Sequence, residues 1–277
     1  MKKKFLFLTI ALIASIALFA QRQEIIYYDK NWKGCSQSEA EFFRIVNYDK
    51  KRKPVGKIMD YFITGELHAE IEGALNIDNY YNSKSKFTGF AEGFYKSGAK
   101  QFETLYDNQG NIVTRKRWHE NGQLRQKASF KNGQFDGQLL TYWENGNAKR
   151  IDEYNNGELI TGKCFNIDGE EIDYFDYEEM PKFPGGEKGL LQYIHNEIRY
   201  PYRSLRNNIQ GRVLINFAIE IDGSISDIKI LESVNSEIDI EAIRVVSQLP
   251  KFIPAKEDGE TVKVYYTLPI NFRLSLR

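Results

Sequence analysis

Regularly spaced glycines in the middle third of this 277-residue chain limit the folds it can adopt. After a longer first interval they recur about every two dozen residues, and each follows soon after an aromatic residue. The aromatic–glycine pairs are Phe62 with Gly65, Tyr95 with Gly98, Trp118 with Gly122, Trp143 with Gly146, and Phe165 with Gly169. Half a period later come second turns such as Lys131-Asn132-Gly133, with short alternating strands between. Two turns and two strands form one β-hairpin per repeat, so the period predicts an all-β hairpin-repeat array.

The repeat cores Trp118-His119-Glu120-Asn121-Gly122 and Trp143-Glu144-Asn145-Gly146 resemble the bacterial variant of the MORN repeat. The resemblance covers about Tyr61 to Ile172 and implies a scaffold or an interaction surface. The stretch Tyr80 to Ser85 departs from the pattern and is expected to be an insertion. The aromatic residues predict a stacked array core, and a ligand site at Trp118 or Trp143 is the alternative.

A second pattern lies in the last hundred residues, where apolar residues alternate with polar ones. One parity after Gly211 is apolar and predicts a half-buried strand, containing Val213, Ile215, Phe217, Ile219 and Ile221. Asp222-Gly223 supplies a turn, and a second strand follows with Ile225, Ile228 and Ile230. The two strands therefore predict an antiparallel hairpin.

Helical spacing surrounds this hairpin. Glu187 to Ile198 places Leu190, Leu191, Ile194 and Ile198 on one face, and a short second helix begins at Pro201 and carries Leu205 and Ile209. After the hairpin, Ser236 is expected to cap a third helix together with Asp239. Its apolar stripe is predicted to be Ile240, Ile243, Val246 and Leu249, and Pro250 ends it.

The closing segment has the longest alternation in the chain, with Val262, Val264, Tyr266, Leu268, Ile270, Phe272 and Leu274 on one parity. Pro269 lacks an N–H, which favours an edge strand or a bulge over a central strand. The order of elements is then α, α, β, β, α, β. This order predicts an α+β C-terminal domain of two short helices, a β-hairpin, a helix and an edge strand, preceded by the all-β array.

A series of short motifs in this domain resembles the C-terminal domain of TonB-family energy transducers over about Met180 to Leu276. The motifs are Met180 to Glu187 (Met-Pro-Lys-Phe-Pro-Gly-Gly-Glu), Tyr200-Pro201, Gly211-Arg212-Val213, Asp222-Gly223, Phe252 to Ala255, and Leu268-Pro269-Ile270-Asn271-Phe272. The resemblance implies a periplasmic domain that binds the N-terminal "TonB box" of outer-membrane receptors by strand addition. It also implies transmission of work derived from the proton gradient, with inner-membrane proton-driven motor proteins as further partners.

The same resemblance implies two groups of partner-binding residues. The edge-strand group is Val262, Lys263, Val264, Tyr265, Tyr266, Thr267 and Leu268, and the Tyr-Pro group is Glu197, Arg199, Tyr200 and Pro201. Glu197-Ile198-Arg199 stands where the best-known transducers carry Gln and Pro. The Pro-rich spacer of the family is absent between Pro54 and Pro181, and the repeats occupy its place. A homodimer formed by strand exchange and a non-transducing periplasmic scaffold are the alternatives that remain open.

The N-terminus has the pattern of an export signal. Lys2, Lys3 and Lys4 precede an apolar stretch from Phe5 to Ala20 that is slightly shorter than a typical membrane span. Residues 1–20 are therefore either a cleaved signal peptide or an inner-membrane anchor. Both alternatives place the remainder in the periplasm. Cys35 and Cys164 would then meet an oxidising compartment, so a disulfide between them is one alternative.

Composition argues against several other classes of function. The chain has 38 basic and 38 acidic residues, which disfavours general nucleic-acid binding. His68, His119 and His195 have no metal-ligand spacing, and no nucleophile elbow or phosphate loop occurs. We therefore expect no enzymatic activity, metal or cofactor. The predicted divisions are 1–20, a segment of unclear structure at 21–60, the repeats at 61–172, an extended acidic linker at 173–180 and the C-terminal domain at 181–277.

Overall fold

The computed structural model describes residues 22–79 and 82–274, which divide between Tyr174 and Phe175 into two compact units. The predicted leader and the Tyr80-Tyr81 pair lie outside the described residues. Within those two ranges, no helix is long and apolar enough to cross a membrane.

The N-terminal unit is an antiparallel sheet in which each described strand pairs with the next one in the sequence. Its twelve strands are β1 (Arg22–Tyr28), β2 (Phe42–Tyr48), β3 (Pro54–Phe62), β4 (Leu67–Asn76), β5 (Lys86–Phe94), β6 (Lys100–Tyr106), β7 (Ile112–Trp118), β8 (Leu124–Lys131), β9 (Gln134–Tyr142), β10 (Ala148–Asn155), β11 (Glu158–Phe165) and β12 (Glu171–Ile172). The segment 21–60, which the sequence left unassigned, supplies β1, β2 and most of β3. The array therefore begins before the predicted repeats.

Glycine turns join these strands where the spacing predicted them. Gly146 has a φ of 87° and its N–H donates to the carbonyl of Trp143 at 2.9 Å, which closes the turn. A residue without a Cβ adopts this left-handed conformation at little steric cost. At the half-period turn after β8, Asn132 and Gly133 have φ values of 52° and 80°, as a type I′ hairpin turn requires.

The aromatic positions of the repeats link each turn to the next one. The Tyr95 hydroxyl donates to the carbonyl of Trp118 at 2.7 Å, and Trp143 Nε1 donates to the carbonyl of Phe165 at 3.1 Å. His119 Nε2 lies 2.9 Å from the carbonyl of Tyr142 and makes the equivalent bond. In the turn after β7, the residue equivalent to Tyr95 and Trp143 is therefore His119 and not Trp118. These three turns are therefore linked to their neighbours by a ladder of hydrogen bonds.

One face of the array is buried. A transverse row of small or apolar side chains follows the strand register from β3 to β9, broken by Thr104 and Arg115, and contains Ile58, Ile71, Ala91, Ala128 and Leu139. The neighbouring row on this face includes two charged residues, Arg44 and Asp60, which are only 1% and 2% exposed. The buried face is therefore partly ionic.

Arg44 and Asp60 form a two-point ion pair in this core. Arg44 Nε and Nη2 donate to the two carboxylate oxygens of Asp60 at 2.6 and 2.7 Å. The guanidinium carbon lies 5.4 Å from the ring centre of Tyr28 and 5.0 Å from that of Phe87. Burial lowers the pKa of Arg44, but the carboxylate of Asp60 raises it, and the net shift is upward. The guanidinium of Arg44 therefore remains charged within an aromatic cage.

His68 is partly buried among aromatic rings. Its ring centre lies 5.2 Å from Trp32, 5.0 Å from Phe42 and 4.9 Å from Phe62. The buried Nδ1 atom has no hydrogen-bond partner. Burial lowers the pKa of His68, which outweighs the opposite effect of Asp60. The imidazole is therefore held in its neutral form.

We expect the stability of the array to fall as the pH decreases below about 6.5, the ordinary pKa of histidine. The pKa of His68 is lower in the folded state, so the unfolded chain takes up a proton that the folded chain refuses. Urea denaturation at several pH values measures this slope. His68→Phe, which fills the same space between the rings, is expected to reduce it, and an unchanged slope in that variant would contradict the assignment.

No disulfide joins Cys35 and Cys164 in the structure. Cys35 is partly exposed beside β1, and Cys164 is fully buried in β11. The disulfide alternative is therefore not realised. Backbone pairing holds Cys164 in the sheet, where it lies opposite Arg150 of β10 and opposite Ile172 of β12.

Over its described residues, 175–274, the C-terminal unit contains three helices and two small sheets. Its elements are β13 (Glu178–Glu179), α1 (Gly186–Glu197), α2 (Tyr202–Arg206), β14 (Gly211–Ile219), β15 (Ile225–Glu232), α3 (Ser236–Ser247), β16 (Ala255–Glu257), β17 (Glu260–Val262) and β18 (Val264–Phe272). The strand orders are β15-β14-β18 and β13-β16-β17. Strands β14 and β15 form the predicted hairpin. The sheet β15-β14-β18 has the longer strands and is called the larger sheet, and helices α1 and α3 pack on it to form the core.

Helix α3 buries only part of the predicted stripe, because Val246 and Leu249 are buried but Ile240 and Ile243 are exposed. Ile238, Ala242, Val245 and Val246 are fully buried, whereas Ile240 is 68% exposed. The prediction followed the bulkiest side chains, but the helix packs through the face that carries small Ala242. Its N-cap is Asn235, whose side chain accepts from the N–H of Ile238 at 2.8 Å, and not Ser236. Leu191 of α1 and Leu205 of α2 are likewise exposed.

The predicted acidic linker is partly folded onto the C-terminal unit. Glu178 and Glu179 pair with Glu257 and Lys256 of β16 as strand β13. The ring of Tyr177 is buried and its hydroxyl donates to Glu257 at 2.8 Å, while Lys256 lies 3.3 Å from Glu179. An apolar anchor and a neighbouring cation therefore overcome the repulsion that predicted an extended segment.

Gly223 is the glycine of this unit where a side chain is least tolerated. Its φ is 81°, and a Cβ would lie 1.9 Å from the carbonyl oxygen of Phe252. We expect Gly223→Ala to lower the free energy of unfolding by about 3 kcal/mol, from left-handed strain plus the displaced backbone. Gly186→Ala is the control, because its φ is 69° with nothing within 4 Å. Equal losses in urea denaturation would contradict this explanation.

Candidate functional site

Strand β18 forms one edge of the larger C-terminal sheet. It pairs with β14 along its whole length, from Val264 opposite Ile219 to Phe272 opposite Gly211, without a register shift. The side chains of Leu268, Ile270 and Phe272 in this strand are buried. Among the described strands, none pairs with the other side of β18. An edge of this kind presents backbone donors and acceptors to an incoming strand.

Pro269 shows which backbone groups face outward. A proline fits an uninterrupted ladder only where its nitrogen points away from the paired strand, because it has no N–H to donate. Backbone groups alternate along a strand, so Tyr265, Thr267 and Asn271 also direct their N–H and C=O outward. Val264 and Tyr266 direct theirs towards β14. The outer edge therefore offers two donors before Pro269 and one after it.

The predicted edge-strand group spans two different strands. Val262 ends β17 and pairs with Ala255 in the smaller sheet, and Lys263 lies between β17 and β18. Val264 to Leu268 lie on β18, which continues to Phe272. The sequence predicted one continuous strand because apolar residues alternate without interruption from Val262 through Val264. The boundary between β17 and β18 at Lys263 does not disturb this alternation. The continuous edge is therefore shifted towards the C-terminus.

Polar contacts fix the start of β18 to its sheet. Lys263 Nζ lies 2.7 Å from Glu220 and 3.1 Å from Asp227, and the Tyr265 hydroxyl donates to Asp227 at 3.1 Å. The hydrogen bond with Glu220 raises the pKa of Lys263. The hydrogen bond from Lys263 lowers the pKa of Asp227. This cluster therefore stays charged at neutral pH.

Asp227 reaches this cluster from an unusual backbone position. It has a φ of 52° at a bulge in β15, between the pairs Asn216–Lys229 and Ala218–Ser226. The short polar side chain of aspartate tolerates left-handed backbone better than most residues. Asp227 and Glu220 are not predictable from the sequence, because neither a motif nor an alternating pattern distinguishes them.

The Tyr-Pro group lies at the opposite end of β18. The ring of Tyr200 packs edge-on against Phe272, with ring centres 5.8 Å apart, and its hydroxyl donates to the carbonyl of Ile209. Pro201 precedes α2. The N–H of Arg199 donates to Glu241, and the carbonyl of Glu197 accepts from Arg244, both at 2.6 Å. These residues hold α1 against α3, and the structure does not bring them next to Val264.

Metal chemistry has no evident location in the described ranges. No group of three or more His, Cys, Asp or Glu side chains there has an arrangement able to hold a metal ion.

The C-terminal unit matches known proteins over part of the chain. The family described as "Gram-negative bacterial TonB protein C-terminal" matches residues 196–274. "Protein TonB" of Helicobacter pylori (strain ATCC 700392 / 26695) is 30% identical over 96 residues, which are 33% of this chain and 32% of that protein. The chain thus aligns with about a third of the length of this curated relative.

Two solved structures are also similar. The NMR solution structure of Helicobacter pylori TonB-CTD, residues 179–285, is 25% identical and covers 32% of this chain and 79% of that one, with a TM-score of 0.26. The structure of residues 194–285 is 24% identical and covers 32% and 95%, with a TM-score of 0.27. The family match and the sequence relative together show that residues 196–274 are similar to the C-terminal domain of TonB proteins.

Proposed function

We propose that this protein is a periplasmic energy transducer of the TonB type, which couples the proton gradient to outer-membrane receptors. Its C-terminal unit would add a receptor segment as a new strand along the outer edge of β18. The observation that carries the proposal is this edge, in a region that matches the TonB C-terminal family. Outer-membrane TonB-dependent receptors are then the partners, together with inner-membrane motor proteins that supply the work.

Backbone pairing along β18 supports a partner that is recognised by its strand conformation. The outward groups of Tyr265 and Thr267 lie before Pro269, and each backbone hydrogen bond contributes about 0.5–1.5 kcal/mol net. The contacts of Lys263 and Tyr265 with Asp227 hold this part of the edge in place. A preformed edge reduces the ordering cost of binding, so a short extended segment suffices. Receptor side chains would then contribute mainly specificity.

The repeat array would take the place of the Pro-rich spacer. Strands in a sheet lie roughly 4.8 Å apart, so twelve strands in sequence order would extend on the order of 50 Å. In this proposal residues 5–20 anchor the chain in the inner membrane and the array holds the C-terminal unit away from the bilayer. Small-angle scattering from residues 22–174 tests the extension, and a compact particle would contradict it.

The experiment that tests the coupling is photo-crosslinking in living cells from a reactive phenylalanine analogue at Tyr265. The side chain of Tyr265 is half-exposed on β18, so the substitution preserves the ring. Adducts with the N-terminal segments of outer-membrane receptors, lost when the proton gradient is collapsed, are the expected result. Adducts only with soluble proteins, unaffected by the gradient, would favour a non-transducing scaffold. The same analogue at exposed Ile240 of α3 is the matched control.

A further inference from the structure

A cavity of about 430 Å³ opens on the repeat array beside β6, β7 and β8. Small-molecule sites in proteins are typically about 300–1,000 Å³, so its size suits one or two sugar rings. Its lining combines arginines with aromatic side chains, and no acidic residue lines it among the described residues. The coupling function proposed above makes no use of this cavity.

Three arginine residues line the cavity, Arg115, Arg117 and Arg125. Arg117 pairs with Phe102 and Arg115 with Thr104 across neighbouring strands, so both extend from the same face of β7. The Arg115 guanidinium lies 5.5 Å from the ring centre of Phe130, which supports it from one side. Each guanidinium has five N–H donors in a planar fork, so one that already has a neighbour can still bind a carboxylate or phosphate.

Aromatic and neutral polar groups complete the lining. The ring of Phe102 lies over Gly93, where an added Cβ would come 2.0 Å from a ring carbon, so glycine lets this ring lie flat on the sheet. Partly exposed Trp118 adds an indole, and Thr104 adds a hydroxyl. The C–H groups on one side of a pyranose ring pack on such apolar surfaces, and its hydroxyls require polar partners of this kind.

His68 provides a spectroscopic reporter for this cavity. It lines the same cavity, and its buried Nδ1 has no hydrogen-bond partner in the structure. Nδ1 itself is closed off from solvent, so His68 serves as a reporter at the wall of the cavity and is not assigned a bond to the ligand. We propose that this cavity binds a small saccharide carrying a carboxylate or phosphate group, with the acid held by Arg115 and Arg117 and a sugar ring packed on Trp118 and Phe102.

NMR of the histidine rings in the full chain tests this proposal, because the sequence has only three histidines. Glucuronate and glucose 1-phosphate are the probes, and they distinguish a carboxylate from a phosphate. At least one of them is expected to shift the His68 resonances saturably, while neutral methyl glucoside does not. His195 in α1 serves as an internal reference.

Two variants of equal charge change provide the specificity control. Arg117→Gln is expected to weaken binding of the effective probe at least about tenfold, because it removes charge-assisted hydrogen bonds. Lys127→Gln removes one positive charge from the exposed face of neighbouring β8 and is expected to leave binding unchanged. Equal losses in both variants, no His68 shift with either probe, or equally tight binding of inorganic phosphate would overturn the proposal.

Discussion

Asp60→Ala is expected to lower the free energy of unfolding of the repeat array by about 3–5 kcal/mol, the usual effect of breaking a buried ion pair. The carboxylate of Asp60 accepts two hydrogen bonds from Arg44, and both side chains are almost completely buried. Its removal leaves a guanidinium that cannot lose its proton and cannot reach water. Urea denaturation of Asp60→Ala measures the loss against the unmodified chain.

The control is Glu70→Ala on the adjacent strand β4, which removes a carboxylate from the exposed pair with Lys57. Exposed pairs contribute about 0–1 kcal/mol, so a small loss is expected. The double variant Arg44→Met with Asp60→Leu removes both charges and is expected to recover most of the stability. Similar losses for Asp60→Ala and Glu70→Ala would show that the buried pair has no special role.

Thr267→Pro is expected to abolish binding of receptor segments while the C-terminal unit remains folded. The N–H of Thr267 points outward from β18, by the parity that Pro269 sets, so its loss spares the ladder with β14. A proline there also blocks the approach of a new strand at the centre of the accessible edge. Pull-down or titration with receptor N-terminal segments measures binding, and circular dichroism monitors the fold.

Two matched variants separate the backbone from the side chain. Thr267→Val keeps the N–H and loses only the hydroxyl, which accepts from Asn216 at 3.1 Å, so binding should persist. Tyr266→Pro removes an inward N–H and is expected to destabilise the sheet itself, at a cost of about 3 kcal/mol or more by analogy with a helix interior. Binding that survives Thr267→Pro would exclude strand addition at this edge.

Local patterns were sufficient where one face of an element meets the core directly. The alternation in β14 predicted its buried residues Val213, Ile215, Phe217 and Ile219, and the Asp222-Gly223 turn predicted the hairpin. The glycine turns of the array were likewise visible, since a left-handed turn restricts residue choice. In each case the signal lies within a few residues of the structure that it specifies.

Features that depend on distant partners were not predictable. Arg44 and Asp60 occupy inward positions of β2 and β3, which removes the apolar alternation that would have marked these strands. The pairing of Glu178 and Glu179 depends on β16, nearly eighty residues later in the sequence. In the candidate site, the division between Val262 and Val264 depends on which sheet each one joins. Asp227 reaches Lys263 and Tyr265 only through a bulge.

The most direct test of the central claim is residue-resolved amide hydrogen exchange of β18 with and without a receptor N-terminal segment. Strand addition at the outer edge predicts that the amides of Tyr265 and Thr267 become protected on binding. Those of Val264 and Tyr266, already directed towards β14, should change little. Protection of other surfaces with no change at Tyr265 and Thr267 would contradict the claim that this edge receives the partner.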